Sequence, residues 1–144
     1  MTEYFTVTRE LSARPETVFD VLTTPEHFAV WFGTAAVDVP LETVQMDVRV
    51  GGQMRAVMHI PEGPTIHWEG EYVEVNRPTR LAMTLTDNPG EYAGLPVLFD
   101  LEQTGETTTL TISQDRSDFS DEQVAATIAG YNAFIDDMER ILTA

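Results

Sequence analysis

Apolar residues recur along this chain with two periods, and the switches between them divide it into three parts. From residue 3 to residue 11 the pattern alternates. Phe5, Val7 and Leu11 share one parity, and Thr6, Thr8 and Glu10 take the other. Such alternation predicts a half-buried strand. Ser12-Ala13-Arg14-Pro15 breaks it, and Pro15 followed by Val18, Phe19 and Leu22 predicts a short helix with proline in its first turn. Thr24-Pro25-Glu26-His27 reads as a fresh N-cap with proline at the first helical position. It opens a second short helix that runs to about Phe32 and ends at Gly33.

Between residues 34 and 115 the period is two. Strands are expected over 34–39, 46–50, 53–60, 65–75 and 80–86, then around Val97, Phe99 and Leu101, and finally around Leu110, Ile112 and Gln114. Gly51-Gly52 is a hairpin signal, and Pro61-Glu62-Gly63-Pro64, Asn76-Arg77-Pro78 and Thr104-Gly105-Glu106 are turns. Ile66 and Trp68 have the opposite parity to Val73 and Val75, so a bulge is expected between Gly70 and Val73. Residues 87–94 read as a loop.

Residues 120–142 return to helical period. Val124, Ile128, Tyr131, Ile135, Met138 and Leu142 form one apolar stripe. Ser120 with Gln123 makes a capping-box pattern, and Asp121, Glu122 and Arg140 suit the helix dipole. Ala125, Ala126, Ala129 and Gly130 are small, so the first half of this helix leaves space in front of it. The order predicts an α+β domain spanning residues 1–144. A curved antiparallel sheet of about six to seven strands wraps the long C-terminal helix, with two short helices after the first strand.

Composition narrows the function. The 144 residues fit one domain and carry no cysteine, which removes disulfides, thiolate metal sites and a cysteine nucleophile. The 24 acidic residues face 8 basic ones, all arginine, for a net charge of −16. Without lysine there is no Schiff base. Without a basic patch, nucleic acid and anionic lipid surfaces are poor partners. The start shows no signal-peptide pattern and no apolar run is long enough to span a membrane, so the expected location is cytoplasmic.

Candidate chemistry is sparse. His59 and His67 lie on the outward parity, where a cross-strand polar pair explains them better than a zinc site with Glu69 or Glu71, and His27 sits in a helix first turn. No Gly-x-Ser-x-Gly elbow or phosphate-cradling motif is present. The stronger feature is an inward set of Trp31, Met54, Met58, Trp68, Met83, Phe99, Ile112, Ile128 and Tyr131, with Gln114 on the same parity. It reads either as an ordinary packed core or as the wall of a pocket open near Trp31 and the 87–94 loop. In the second case Gln114 would be the polar contact that orients a ligand.

Several motifs carry a resemblance. They are Ala13-Arg14-Pro15-Glu16-Thr17-Val18-Phe19, Thr24-Pro25-Glu26-His27, Trp31-Phe32-Gly33, Asp47-Val48-Arg49-Val50-Gly51-Gly52, Gly70-Glu71-Tyr72, the run from Val75 to Leu81, and Gly130-Tyr131. Together the chain resembles the START-like (SRPBCC) superfamily, and within it the branch related to activators of the heat-shock protein 90 ATPase. The resemblance implies a helix-grip fold with a cavity between sheet and long helix. Superfamily members include co-chaperone domains, lipid and hormone binders and cyclase relatives. Gln114-Asp115-Arg116-Ser117-Asp118-Phe119 stands where the family often has a His-Ser-Gly-Phe-like segment, so no histidine at the cavity mouth carries over. The expected function is non-enzymatic binding of a small, largely apolar ligand, uncharged or cationic. The residues expected to bind it are Trp31, Met54, Met58, Trp68, Met83, Phe99, Gln114, Ile128 and Tyr131. No cofactor, metal, nucleic acid or membrane is expected, and the protein would be a monomer or homodimer. A chaperone-contacting module, with a role in the stress response, is the alternative. A cyclase, dehydratase or hydrolase is the third reading, and it would need a polar dyad inside the cavity.

Overall fold

The two periods become a sheet and three helices. In the computed structural model, which describes residues 3–33, 37–88, 94–116 and 119–144, β1 is Tyr4–Leu11, α1 Pro15–Thr23 and α2 Pro25–Gly33. A 3-10 turn at Leu41–Thr43 precedes β2 (Gln45–Met46), β3 (Gln53–His59), β4 (Thr65–Asn76), β5 (Arg80–Met83), β6 (Val97–Thr104) and β7 (Thr107–Asp115). The chain ends in α3, Asp121–Thr143. All seven strands form one antiparallel sheet in the order β1-β7-β6-β5-β4-β3-β2. Strands β2 to β7 are a meander, and β1 closes it beside β7, with α1 and α2 as the crossover. No helix among the described residues is long and apolar enough to cross a membrane.

Three strands differ from the pattern, each for a local reason. The strand expected over 46–50 stops at Met46, because Asp47 to Gly52 folds onto β4 instead of running on as a ladder. There Gly52 N donates to Arg49 O at 2.8 Å and Gly51 N to Tyr72 O at 2.8 Å. Gly51 has φ +86°, and a Cβ on Gly52 would lie 1.9 Å from the Asp47 carbonyl oxygen, so both glycines are required by the backbone path. The bulge expected between Gly70 and Val73 falls at the far end of that range, between Tyr72 and Glu74, and leaves Val73 exposed. Gly70 serves a different purpose: a Cβ there would sit 2.1 Å from Thr84 O, where the backbones cross closely. β5 ends at Met83, with only an isolated bridge from Thr86 to Glu69 beyond it. Of the strand expected over 34–39, residues 34–36 lie outside the described residues, while Asp38 bridges His59. Part of the 87–94 loop likewise lies outside them.

The apolar parities predicted from sequence are buried: Val7 and Leu11 of β1, Met54, Ala56 and Met58 of β3, Val97, Phe99 and Leu101 of β6, and Leu110 and Ile112 of β7. The helix stripe meets them through Tyr131, Ile135 and Met138. At the start of α3, Ser120 Oγ accepts from Gln123 N and Gln123 Oε1 accepts from Ser120 N at 2.8 Å, so the capping box is complete. Its second half is tied to β1 and the turn after it. Arg9 donates to Asn132 at 3.2 Å and Asp136 at 2.8 Å, and Ser12 donates twice to Glu139 at 3.0 Å.

All eight arginines are engaged with carboxylates, Arg9 with Asp136, Arg77 with Asp20 and Arg80 with Asp100 among them. Most of these pairs are solvent-exposed, and each is worth about 0–1 kcal/mol. The sixteen surplus negative charges repel one another. Screening weakens both effects, but the repulsion is summed over more pairs. The melting temperature should therefore rise by several degrees between about 0.05 M and 1 M sodium chloride. A fall would show that the ion pairs outweigh the repulsion.

Candidate functional site

A pocket of about 340 Å³ lies beside the first half of α3. On its sheet side are Trp68 of β4, Val97 of β6 and Gln114 of β7, with Leu85, Thr86 and Asp87 after β5. On its helix side are Thr127, Gly130, Tyr131 and Phe134, and Phe32 of α2 and Phe119 complete it. The pocket exists because helix and sheet part company here. The second half of α3 is pinned by Ile135, Met138 and the Arg9 and Ser12 bonds, whereas no residue before Tyr131 is fully buried. Gly130 keeps the opening clear, since a Cβ placed on it would meet nothing within 4 Å.

Five of the twelve described lining residues are aromatic. The rings of Phe32 and Trp68 lie 5.6 Å apart at 82°, those of Tyr131 and Phe134 6.0 Å apart at 76°, and Phe32 and Phe134 5.4 Å apart at 34°. Edge and tilted contacts of this kind fix each ring's orientation. One polar pair lies within the pocket: the Tyr131 hydroxyl donates to Gln114 Oε1. This leaves the Gln114 amide N–H groups and the lone pairs of the Tyr131 oxygen to face an occupant. The indole N–H of Trp68 is held inside the wall and has no acceptor among the described residues. Burial raises the pKa of Tyr131 above the ordinary tyrosine value, so its hydroxyl stays protonated. Among the described residues no group of three or more histidines and carboxylates is placed to hold a metal. His59 is exposed and contacts Thr65 Oγ1 at 3.3 Å, and His67 stands opposite Val57.

The residues expected to bind a ligand fall into three groups. Trp68, Gln114 and Tyr131 meet at the pocket. Trp31, Met83 and Phe99 lie deeper, around a second void of only about 20 Å³, and Trp31 donates its indole N–H to Val21 O at 2.9 Å. Met54 and Met58 pack in the core and Ile128 lies half-buried against it, all three outside both spaces. Of the opening expected near Trp31 and the 87–94 loop, Asp87 does line the pocket, whereas Trp31, itself part of α2, is buried against Phe28, Phe32 and Phe134 and does not. The expectation that Ala125 and Ala129 face the space is corrected as well. Both are exposed, since 100° per residue places them on the side of α3 opposite Thr127, Gly130 and Phe134. The sequence reading missed Phe134 and Phe119 outright. The i, i+3, i+4 relation of Thr127, Gly130, Tyr131 and Phe134 was the available signal.

Two outcomes follow. Gly130→Ala should stabilise the protein by about 0.5–1 kcal/mol in urea denaturation, because it improves helix propensity and its methyl enters empty space. Destabilisation would mean that the space is filled. At alkaline pH the buried tyrosines dominate. Burial raises the pKa of Tyr131, and burial together with the Asp47 charge raises that of Tyr72. An acid with a higher pKa folded than unfolded stabilises the fold below its unfolded value, and that stability is lost as pH climbs past it. Stability should hold to about pH 10 and drop above it. Tyr72→Phe, which removes a hydroxyl with no partner among the described residues, should soften the drop.

Residues 12–143 match the family model described as Activator of Hsp90 ATPase homolog 1-like protein. None of the curated proteins matches the chain. Among solved structures, a Staphylococcus epidermidis protein superposes with TM-score 0.82 at 22% identity, covering 99% of this chain and 91% of its own. A Nitrosomonas europaea protein gives TM-score 0.79 at 22% identity, covering 97% of this chain and 94% of its own. An AHSA1-like protein from Aeromonas hydrophila gives TM-score 0.73 at 19% identity, covering 94% of this chain and 90% of its own. These likenesses show a shared fold. With a family model spanning nearly its whole length and a helix-grip arrangement of sheet and C-terminal helix, the chain belongs to the Activator of Hsp90 ATPase homolog 1-like family of the START-like (SRPBCC) superfamily.

Proposed function

We propose that this domain binds one small, largely apolar molecule between the sheet and α3 and performs no chemistry on it. The observation that carries the reading is the pocket of about 340 Å³, with five aromatic residues in its lining and one hydrogen-bonded pair of lining side chains. Its size is within the ordinary range for small-molecule sites. Burial of the ligand's apolar area would drive binding at about 25 cal/mol per Å², less the cost of ordering it. Gln114 and Tyr131 would set its orientation. Proton-transfer chemistry has little support among the described lining residues, whose only buried ionisable group is Tyr131, shifted away from neutrality.

A second reading has the family description behind it. It is activation of a chaperone ATPase through surface contacts, with Val30 and Leu41 as the exposed apolar residues nearest α2. Stimulation of a cognate Hsp90 ATPase by the purified domain would support it.

For the binding reading, the neutral fluorophore N-phenyl-1-naphthylamine is a suitable probe. Its emission should rise on titration into the wild-type protein. Gly130→Phe should fold, because its side chain starts in open space, yet should lower that affinity by about tenfold or more. Equal binding by the folded variant would place the probe elsewhere and remove the pocket's claim.

A further inference from the structure

We infer that the molecule accepted here is a small lipophilic cation, specifically an ammonium on an apolar body; this rests on the binding reading above. Three observations carry it. First, Phe32, Trp68, Phe119, Tyr131 and Phe134 all line one space, and several of their rings stand at steep angles to one another. An ammonium within about 6 Å of several aromatic rings is drawn to their electron-rich faces.

Second, the one charged side chain among the described lining residues is acidic. Asp87 contributes an exposed carboxylate to the lining, and no arginine or histidine lines it among the described residues. Arg116 reaches the edge of the pocket, where its Nε donates to the carbonyl of Phe119 at 3.2 Å, but its charge is paired with Asp121 through Nη2. With a net charge of −16, the field at the opening attracts cations and repels anions.

Third, the hydroxyl protons of the lining are spent. Tyr131 donates to Gln114 Oε1 and Thr127 donates to Gln123 O at 2.8 Å, so the lone pairs of these two hydroxyl oxygens are what they present to an occupant. Such oxygens favour a positive charge over a negative one, and an ammonium that keeps an N–H can donate to one of them.

The test uses three probes of one shape on the intact protein: benzyltrimethylammonium, its carbon isostere neopentylbenzene, and benzylsulfonate. Affinities are read by calorimetry and tryptophan fluorescence at low and high salt. The ammonium should bind about tenfold or more tighter than the neutral isostere, and benzylsulfonate should not bind. Asp87→Asn should weaken the ammonium by about two- to fivefold at low salt, with less effect at high salt, and leave neopentylbenzene unchanged. Equal or tighter binding of neopentylbenzene or benzylsulfonate, or binding of N-phenyl-1-naphthylamine with none of the three, overturns the cation inference and leaves the apolar pocket standing. No binding by any probe overturns both.

Discussion

A seven-stranded antiparallel sheet has one apolar face, and this chain has one long helix with which to cover it. The sheet spans about 30 Å across its strands at roughly 4.8 Å each, and 23 helical residues reach about 35 Å. Length is therefore sufficient, but side-chain volume is unevenly distributed along it. Ile135 and Met138 are fully buried and anchor the second half, where α1, α2 and β1 meet it. Thr127 and Gly130 are too small to close the gap over Trp68 and Gln114. The rest of the molecule follows from that imbalance: a tight core at one end of α3 and a space at the other.

Much of the fold was legible because it rests on period and punctuation. Ser120 and Gln123 named the start of α3, and the inward parities of β1, β3, β6 and β7 are the buried ones. What eluded the sequence lies where two backbones meet. Gly52 and Gly70 owe their identity to oxygens of Asp47 and Thr84, which no one-dimensional pattern places beside them. The bulge in β4 was legible in the parity clash, but its exact place, between Tyr72 and Glu74, is set by the register with β5. The site was half legible for a geometric reason. The apolar stripe of α3 marks what faces the core, whereas the row that faces the pocket is rotated from it by roughly a quarter-turn. Tyr131 lies near both and was found; Phe134 belongs to the second row and was not.

Gly130 shows stability and function drawn apart. A glycine in mid-helix lowers helix propensity by about 1 kcal/mol relative to alanine. Here it maintains a volume that larger residues would take. The acidic surface poses a similar conflict, since sixteen uncompensated charges strain the compact state while setting the potential at the pocket mouth.

The capping box at Ser120 acquires a further meaning from this arrangement. The first ten residues of α3 contain no fully buried side chain, so their helicity depends on local bonds more than on packing. Amide exchange along α3 would accordingly be graded, fast near Gln123 and slow near Met138. The order of the pocket's helical wall thus rests on its cap, and the order of the core end rests on packing.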